Sequence, residues 1–396
     1  MIKQQEKCKD ISILAILSII YYALAFPTGL AYPIGLLLTV AMFVFERKGK
    51  IIYRSSIILI TLFVVTYFLF EGVIKYSFMK SLIFAVTLIV MYVFGLNWAK
   101  NNDEYEEILD KTKEALMIIY YCLSIYIILC GIYTLVSGYA INAAQRNLYI
   151  FWNGQMGNTT HFGSLSTVPL AIAVFLSMRR NGVQKVLHII IATALLTFNM
   201  LMANRIIFVY LVVFLLIALL CNNRGKGANF KIKTIVSLLT IVLIFSMIYM
   251  FNVFNVQSFV SSIPVFQRIS TLNTSGYEDP RLERQIYIVL HMFDHLSGGG
   301  WFTDRIGESH NVWLDIFDYS GVIPFILFLI FTIMCIKQIF YCYKKCNKNE
   351  TYALLTLTIC AYMVAFAVEP VFRSCEEFFC LFFFCTGMLN RIRGGI

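Results

Sequence analysis

The chain has 396 residues, of which 59% are hydrophobic and only 14% are charged, and its mean hydropathy is +0.76. A soluble domain carries roughly 25% charged residues because its surface must be hydrated, so this composition excludes a water-soluble globular protein. The net charge of +10 does not indicate nucleic-acid binding, because the basic residues form short clusters between long apolar blocks.

The apolar blocks predict an all-α integral membrane protein of about twelve transmembrane helices, in a single polytopic domain covering residues 1–396. Crossing about 30 Å of hydrocarbon takes roughly 20 apolar residues. The first block follows a basic N-terminus without a small-residue cleavage site, so it is expected to remain as a helix. The predicted spans are 11–27, 30–46, 54–71, 81–98, 115–136, 161–178, 185–203, 206–221, 234–254, 311–336, 351–369 and 374–390.

The connections between these spans differ greatly in length. Asn204 and Arg205 interrupt the block 185–221, which predicts a tight outer turn there. Two outer loops are long, at 137–160 and at 255–310. In the second loop, apolar residues at helical spacing predict an amphipathic surface helix over about 281–296, ended by the glycines at 298–300.

Lysine and arginine predict the orientation, since cytoplasmic loops carry the excess of these residues. One alternate set of connections holds 23 of the 32 basic residues, and the opposite set holds nine. Both termini are therefore expected in the cytoplasm, with an even number of spans. The nine on the outer side are Lys75, Lys80, Arg146, Arg205, Arg268, Arg281, Arg284, Arg305 and Arg373.

Beyond residue 140 this outer set is made of arginine alone. Orientation needs only charge, whereas a guanidinium presents a fork of donors that binds phosphate or carboxylate through two hydrogen bonds. The bias indicates a site for an anionic, phosphate-bearing ligand. Chance, with ordinary ion pairs to the loop acids, is the alternative; those acids are Glu278, Asp279, Glu283, Asp304 and Glu308.

Two polar residues stand at the edges of apolar blocks. Arg205 lies between two long apolar helices, where a charge is costly and usually functional, although it could instead extend to the interface. His310 lies where the long outer loop re-enters the membrane. Its imidazole can accept a proton near neutral pH, but a hydrogen-bonding role at the boundary is the alternative.

The motifs of several other chemistries are absent. The sequence contains no GxxxxGK[ST] phosphate loop and no HExxH pattern around His291 and His295, and its outer loops contain no D-x-D pair that would hold a divalent metal. Asp315 and Asp318 begin an apolar helix and make a poor metal site. An anionic substrate is therefore expected to be neutralised by arginine, with no metal and no cofactor.

Three segments of the chain form a recognisable set of motifs. The first runs from His310-Asn311 to Gly321, with Pro324 three residues further on; the second is Arg281-Leu-Glu-Arg284 with the glycines at 298–300; the third is Met202-Ala-Asn-Arg205. Together they resemble the bacterial O-antigen polymerase/O-antigen ligase family of polytopic membrane glycosyltransferases. The first is similar to the family's HN-x-x-L…G-x-x-G signature with proline in place of the last glycine, the second to its R-x-x-x-W…G-x-G segment with glutamine in place of tryptophan, and the third to its S-R turn with asparagine in place of serine.

The resemblance implies a metal-independent, inverting transferase that takes a glycan from an undecaprenyl-diphosphate-linked donor. It implies that Arg205 and Arg281 bind the diphosphate, stabilising the charge that develops on the leaving group, and that His310 orients or deprotonates the acceptor hydroxyl. The expected substrate-binding residues are Arg284, Arg305, Asn311, Tyr149 and Trp152. For the two aromatic residues an interfacial belt is the alternative.

The expected function is that of a polysaccharide polymerase for O-antigen, capsule or exopolysaccharide, multi-pass in the bacterial cytoplasmic (inner) membrane. The expected partners are the lipid-linked donor, the glycan acceptor, the bilayer, and a flippase and a chain-length regulator, without nucleic acid. The alternatives are an O-antigen ligase that uses lipid A core or another acceptor, and a lipid-linked oligosaccharide transporter or flippase. A cell-wall glycan polymerase ranks lower, because its motifs find no match.

Overall fold

The computed structural model describes residues 13–24, 31–46, 52, 54–69, 78–99, 103–139, 146–222, 258, 261–275, 280–371 and 375–393. The predicted span 234–254 and the residues Lys75, Glu278, Asp279 and Arg373 lie outside them. The helices are α1 (Ile13–Leu24), α2 (Ala31–Ala41), α3 (Ser55–Tyr67), α4 (Phe78–Leu96), α5 (Tyr105–Val136), α6 (Thr159–Arg179), α7 (Gly182–Leu201), α8 (Ile206–Asn222), α9 (Pro264–Ser275), α10 (Pro280–His291), α11 (Trp301–Ile306), α12 (Val312–Ser320), α13 (Val322–Lys345), α14 (Glu350–Val368) and α15 (Glu376–Arg393).

The chain is a helical, membrane-embedded protein. Five helices (α5, α6, α7, α13 and α14) are long and apolar enough to cross a bilayer, and shorter apolar helices accompany them in the described part of the chain. Helices α9, α10 and α11 lie in the predicted outer loop 255–310; the other described helices coincide with the predicted spans to within a few residues, except at α5, α12 and α13. The number of twelve spans stays a prediction.

Helix α6 is the centre of the bundle. It packs against α5, α7, α8 and α14, and 89% of its apolar window is buried, whereas the windows of α7 and α13 are only 33% buried. A helix that is apolar on all sides belongs in such a core. The outward residues of α7 and α13, such as Ile190 and Ile326, are exposed apolar side chains of the kind that lipid covers.

The predicted span 311–336 is divided in the structure. Helix α12 ends at Ser320 and α13 begins at Val322, and Gly321 between them has φ +86°. A Cβ at Gly321 would lie 2.6 Å from the carbonyl oxygen of Leu296, which accepts a hydrogen bond from the Val322 amide at 2.9 Å. A glycine is required here because it alone tolerates both the positive φ and the close backbone.

Two other boundaries also differ from the prediction. Helix α5 begins at Tyr105, ten residues before the predicted start at 115, because Glu104 and Glu107 form a capping box ahead of the apolar block. The predicted outer loop 137–160 contains a short antiparallel hairpin of β1 (Asn147–Tyr149) and β2 (Met156–Asn158), with Leu148 opposite Gly157.

The surface helix is shorter than expected, since α10 ends at His291 and a 3₁₀ turn covers Met292–Asp294. Gly298, Gly299 and Gly300 all have positive φ, but they lie beyond the end of the helix, so they shape the turn that follows and do not end α10 as predicted. One face of this segment exposes apolar side chains: Leu282, Ile286, Val289, Leu290 and Phe293. Its contact with a membrane surface stays a prediction.

Charged residues mark the two ends of the central bundle. At one end, Glu350 at the start of α14 binds Lys113 at 2.7 Å, Arg180 at 2.8 Å and Arg179 at 3.5 Å. At the opposite end of the same helix lies Glu369, the residue that follows Val368. The candidate site is built around this second end.

Candidate functional site

Arg205 lies in the turn that joins α7 to α8. Leu201 ends the first helix and Ile206 begins the second, so the predicted tight turn is confirmed. Within the turn Ala203 has φ +54°, an uncommon value for a residue with a side chain. The Ala203 carbonyl accepts a hydrogen bond from Nη1 of Arg268 at 3.1 Å, which ties α9 to the turn.

Asparagine side chains hold this turn against the buried helix α6. Nδ2 of Asn204 donates to Oδ1 of Asn199 at 2.9 Å, and Nδ2 of Asn199 donates to Oγ of Ser166 at 2.9 Å. Oδ1 of Asn204 in turn accepts from the amide of Ile206 at 3.3 Å. Because buried amides that satisfy one another rigidify their surroundings, the position of Arg205 depends on this network.

Gly163 on α6 leaves room for the side chain of Asn204. Substitution of Gly163 should therefore displace the neighbouring Arg205. A Cβ at Gly163 would lie 2.5 Å from Nδ2 of Asn204, so Gly163→Ala must push this amide away. If Arg205 binds substrate, we expect the turnover rate to fall on the order of 10- to 10²-fold, since displacements near 1 Å can have such an effect. Turnover of the purified variant, beside its melting temperature, measures this.

A shorter side chain at position 204 provides the matched test. Asn204→Ser leaves room for the added methyl group but also removes the amide that donates to Asn199, so the double variant Gly163→Ala/Asn204→Ser should lose no more activity than Asn204→Ser alone, as coupled neighbours do. Ser164→Ala is the control, because its buried hydroxyl makes no hydrogen bond within the described residues. Normal turnover of Gly163→Ala with unchanged stability would refute the role of this packing.

Arg281 lies at the start of α10 and reaches the end of α14. Its Nη1 donates to the carbonyl of Val368 at 3.2 Å. One turn further along, Nε2 of Gln285 donates to the carbonyl of Ser309 at 3.0 Å, and Nη1 of Arg284 approaches the carbonyl of Glu308 at 3.4 Å. The polar face of α10 is thereby fixed to the segment that carries His310.

His310 itself occupies a strained turn, with φ +56°. Ser309 stabilises the turn, because its Oγ accepts from the Asn311 amide at 3.1 Å and donates to the buried carboxyl of Asp315. Asn311 is the N-cap of α12, accepting from the Leu314 amide at 3.2 Å, so its side-chain oxygen already has a structural task.

The glycine segment 298–300 lies against the C-terminal end of α12. The amide of Gly299 donates to the carbonyl of Tyr319 at 3.0 Å, and the amide of Gly300 donates to that of Asp318 at 2.7 Å. The carboxyl of Asp318 accepts from the amides of Phe302 and Thr303 at the start of α11. Asp318 therefore holds the start of α11. The glycines at 298–300 and Gly321, which belong to two of the motifs described above, lie next to each other here.

Glu369 is the centre of the polar cluster. It is only 3% exposed, and its Oε2 lies 3.9 Å from Nδ1 of His310. Burial raises the pKa of Glu369, whereas three arginines and a hydrogen bond from Thr160 favour its charged form; the arginines are Arg281, Arg146 and Arg268. A buried carboxylate among guanidinium groups is the arrangement that desolvated charge requires.

Arg146 connects the remaining arginines. Burial lowers its pKa and Glu369 raises it, while Arg281 and Arg205 lower it further. Both predicted phosphate ligands are therefore close enough to act on one guanidinium. The carbonyl of Arg146 also accepts a hydrogen bond from Thr159 at 2.8 Å, which joins the two ends of the β-hairpin.

The structure thus links the three predicted catalytic residues through Arg146 and Glu369: His310 lies 3.9 Å from Glu369, Arg281 acts electrostatically on both Glu369 and Arg146, and Arg205 acts on Arg146. Such a cluster offers several guanidinium groups to an anion beside one imidazole, which suits phosphate binding and proton transfer at one place.

The predicted substrate-binding residues do not all lie beside this cluster. Arg284 lies one turn from Arg281, whereas the guanidinium of Arg305 stacks on Trp301, 4.0 Å from the ring centroid. Tyr149 stacks on Tyr139 with ring centroids 3.6 Å apart. Trp152 contacts Tyr126 and lines an apolar cavity of about 540 Å³ with residues of α1, α2 and α5, surroundings that suit an apolar group better than a sugar.

Sequence reasoning missed Glu369 and gave no site role to Arg146 and Arg268. A signal for Glu369 was present, because an acid at the end of a 19-residue apolar helix is expensive unless it is paired. Arg146 and Arg268 were counted among the outer arginines, but nothing in their spacing places them beside Arg281. No group of three potential metal ligands occurs within the described residues; the expectation that no metal takes part stays a prediction.

Comparison with known proteins adds no assignment. No protein-family model matches the chain, and no curated protein matches it. Any inference about its activity rests on the residues and the geometry described above.

Proposed function

We propose that this protein is a polysaccharide polymerase that transfers a glycan from an undecaprenyl-diphosphate-linked donor to an acceptor sugar hydroxyl. The observation that carries the proposal is the convergence of Arg205 and Arg281, from separate parts of the chain, on a cluster that contains His310. The motif resemblance supports the same reaction. O-antigen, capsule and exopolysaccharide are the candidate products.

The arginines act on the diphosphate. Guanidinium groups bind phosphate oxygens through paired hydrogen bonds, and donors already aimed at the leaving group stabilise its charge as it develops. Arg205 and Arg281 supply this contact, and Arg284, one turn from Arg281, adds to it. No metal takes part in this scheme, because guanidinium charge replaces the divalent ion.

His310 acts on the acceptor. The hydroxyl oxygen bonds to the anomeric carbon while the bond from that carbon to the diphosphate oxygen breaks. His310 takes the hydroxyl proton, and the diphosphate leaves on its lipid with the bonding electron pair. A single displacement of this kind inverts the anomeric configuration, and general-base assistance typically contributes 10²- to 10⁴-fold.

The proposed location is the outer face of a bacterial cytoplasmic membrane, with about twelve spans and both termini in the cytoplasm. The lysine-rich connections support this orientation. So does the separation of the Glu350 cluster, with its Lys113, Arg179 and Arg180, from Glu369 at the opposite end of α14.

The test is an assay with the purified protein in lipid nanodiscs and a synthetic undecaprenyl-diphosphate-linked repeat unit. A ladder of elongated lipid-linked products is expected. Transfer only to an added lipid A core acceptor would identify a ligase, and movement of the intact donor between leaflets without any glycosidic product would identify a transporter. If neither acceptor receives sugar, the transferase proposal is wrong.

A further inference from the structure

The buried carboxylate of Glu369 has one side free to act on His310. Its Oε2 accepts no hydrogen bond within the described residues, although it lies 3.9 Å from Nδ1 of His310. Glu369 follows the last residue of α14, where its amide still donates to the Ala365 carbonyl at 2.9 Å. The carboxylate is therefore held on a rigid helix while the imidazole lies on the strained turn.

We infer that Glu369 is a positioning residue for His310: its carboxylate accepts the Nδ1 proton and leaves Nε2 as the base that faces the acceptor hydroxyl. This inference rests on the proposed transferase function. A hydrogen bond at one ring nitrogen fixes which tautomer is present and stabilises the imidazolium that forms. Catalytic hydrogen bonds are often long without substrate and shorten in the complex. Here Nδ1 of His310 and Oε2 of Glu369 would have to move closer than their present 3.9 Å.

The groups around Glu369 explain how substrate would drive that closure. The carboxylate faces Arg281 on α10, Arg268 on α9, Arg146 before the hairpin and Thr160 on α6, and Tyr210 on α8 is close enough to sense its charge. A donor diphosphate competes with Glu369 for these guanidinium groups. Once the arginines bind phosphate, the carboxylate can accept a hydrogen bond from Nδ1–H of the neutral imidazole, which lies beside it.

A purely structural role is the alternative, in which Glu369 only neutralises the arginines. The two roles differ in what happens to His310. A nearby carboxylate favours the protonated imidazole, so its removal should make His310 neutral at lower pH. Loss of a counter-ion alone would reduce the yield of folded protein, whereas the protein that does fold would keep the wild-type kcat, because the imidazole would still be correctly placed.

The first measurement does not depend on turnover. Diethylpyrocarbonate acylates neutral imidazole, and the His310 side chain is 19% exposed, so mass spectrometry of its peptide gives the reaction rate against pH. In Glu369→Gln the midpoint of this curve should move to lower pH. Glu350→Gln, at the other end of the same helix, is the matched control and should leave the midpoint in place. An unmoved midpoint in Glu369→Gln overturns the inference.

The second measurement is chain extension. Glu369→Gln should lower kcat on the order of 10²-fold, shift the acidic limb of the kcat–pH profile to lower pH, and not raise KM for the lipid-linked donor. Wild-type protein that extends no glycan would refute the proposed function, whereas wild-type extension with an unaltered Glu369→Gln profile would refute only the positioning role.

Glu369→Asp covers the case in which the glutamine variant does not fold. It keeps the charge among the arginines but withdraws the oxygen by about 1.5 Å, one bond length. Normal stability with a kcat reduced about 10-fold is expected, since positioning errors of this size impair proton transfer. Wild-type kcat in Glu369→Asp would contradict a positioning role.

Discussion

Replacing Arg281 by alanine should reduce chain extension on the order of 10²- to 10³-fold, the loss that follows removal of one preorganised donor to developing negative charge. Arg281 reaches from α10 to the Val368 carbonyl and acts on both Glu369 and Arg146. Its removal takes away a diphosphate contact and one of three guanidinium partners of a buried carboxylate. Product ladders from purified variants measure the effect.

Arg281→Lys separates charge from geometry. Lysine keeps a cation beside Glu369, so the variant should fold, but it lacks the planar fork that grips two phosphate oxygens. We expect its activity to stay well below that of the wild type. Arg179→Ala is the control, because Arg179 lies in the opposite cluster, where Glu350 keeps Lys113 and Arg180 as partners. Near-normal polymer from Arg281→Lys would contradict a bidentate clamp.

Replacing His310 by alanine should also strongly reduce chain extension, with a loss of about 10²- to 10⁴-fold in kcat, the usual contribution of a general base. The KM for the donor should change little, because the arginines proposed to bind the diphosphate remain. Alanine removes the imidazole and leaves the Ser309 and Asn311 contacts of the turn in place, since these involve neighbouring residues. Initial rates across a range of donor concentrations give both constants.

His291→Ala provides the comparison for a generic loss of histidine. His291 ends α10, where its partly exposed ring pairs with Asp294 at 3.1 Å. This variant should extend glycan at the wild-type rate. A His310→Ala protein that retains most of its kcat would exclude a base at this position and would also remove the reason for the Glu369–His310 pair.

Much of the helical architecture follows from the sequence, because lipid requires long apolar segments whose backbone groups are satisfied internally. The break at Gly321 could not be read in this way, since its neighbours Ser320 and Val322 sit in an otherwise apolar run. What ends the helix is the tertiary approach of the Leu296 carbonyl and of the chain at Gly298. The local sequence pattern therefore cannot predict this tertiary contact.

The candidate site was likewise predicted from the sequence only in part. The absence of lysine among the later outer basic residues, together with the motifs, led to Arg205, Arg281 and His310, which the structure brings to one place. Glu369 was hidden because the sequence treats it as the last residue of a span. Trp152 was given to sugar binding on its residue type, although its apolar surroundings depend on α1 and α5.

Helix α14 fixes the depth of the candidate site within the bilayer. Its 19 residues span about 28 Å at 1.5 Å per residue, close to the thickness of the hydrocarbon layer. A buried acid is neutralised at each end, Glu350 at one and Glu369 at the other, so any sliding of the helix would drag a carboxylate out of its basic shell. Helix α14 is therefore expected to stay in place, and under the proposed function the growing polymer would have to move past a fixed site.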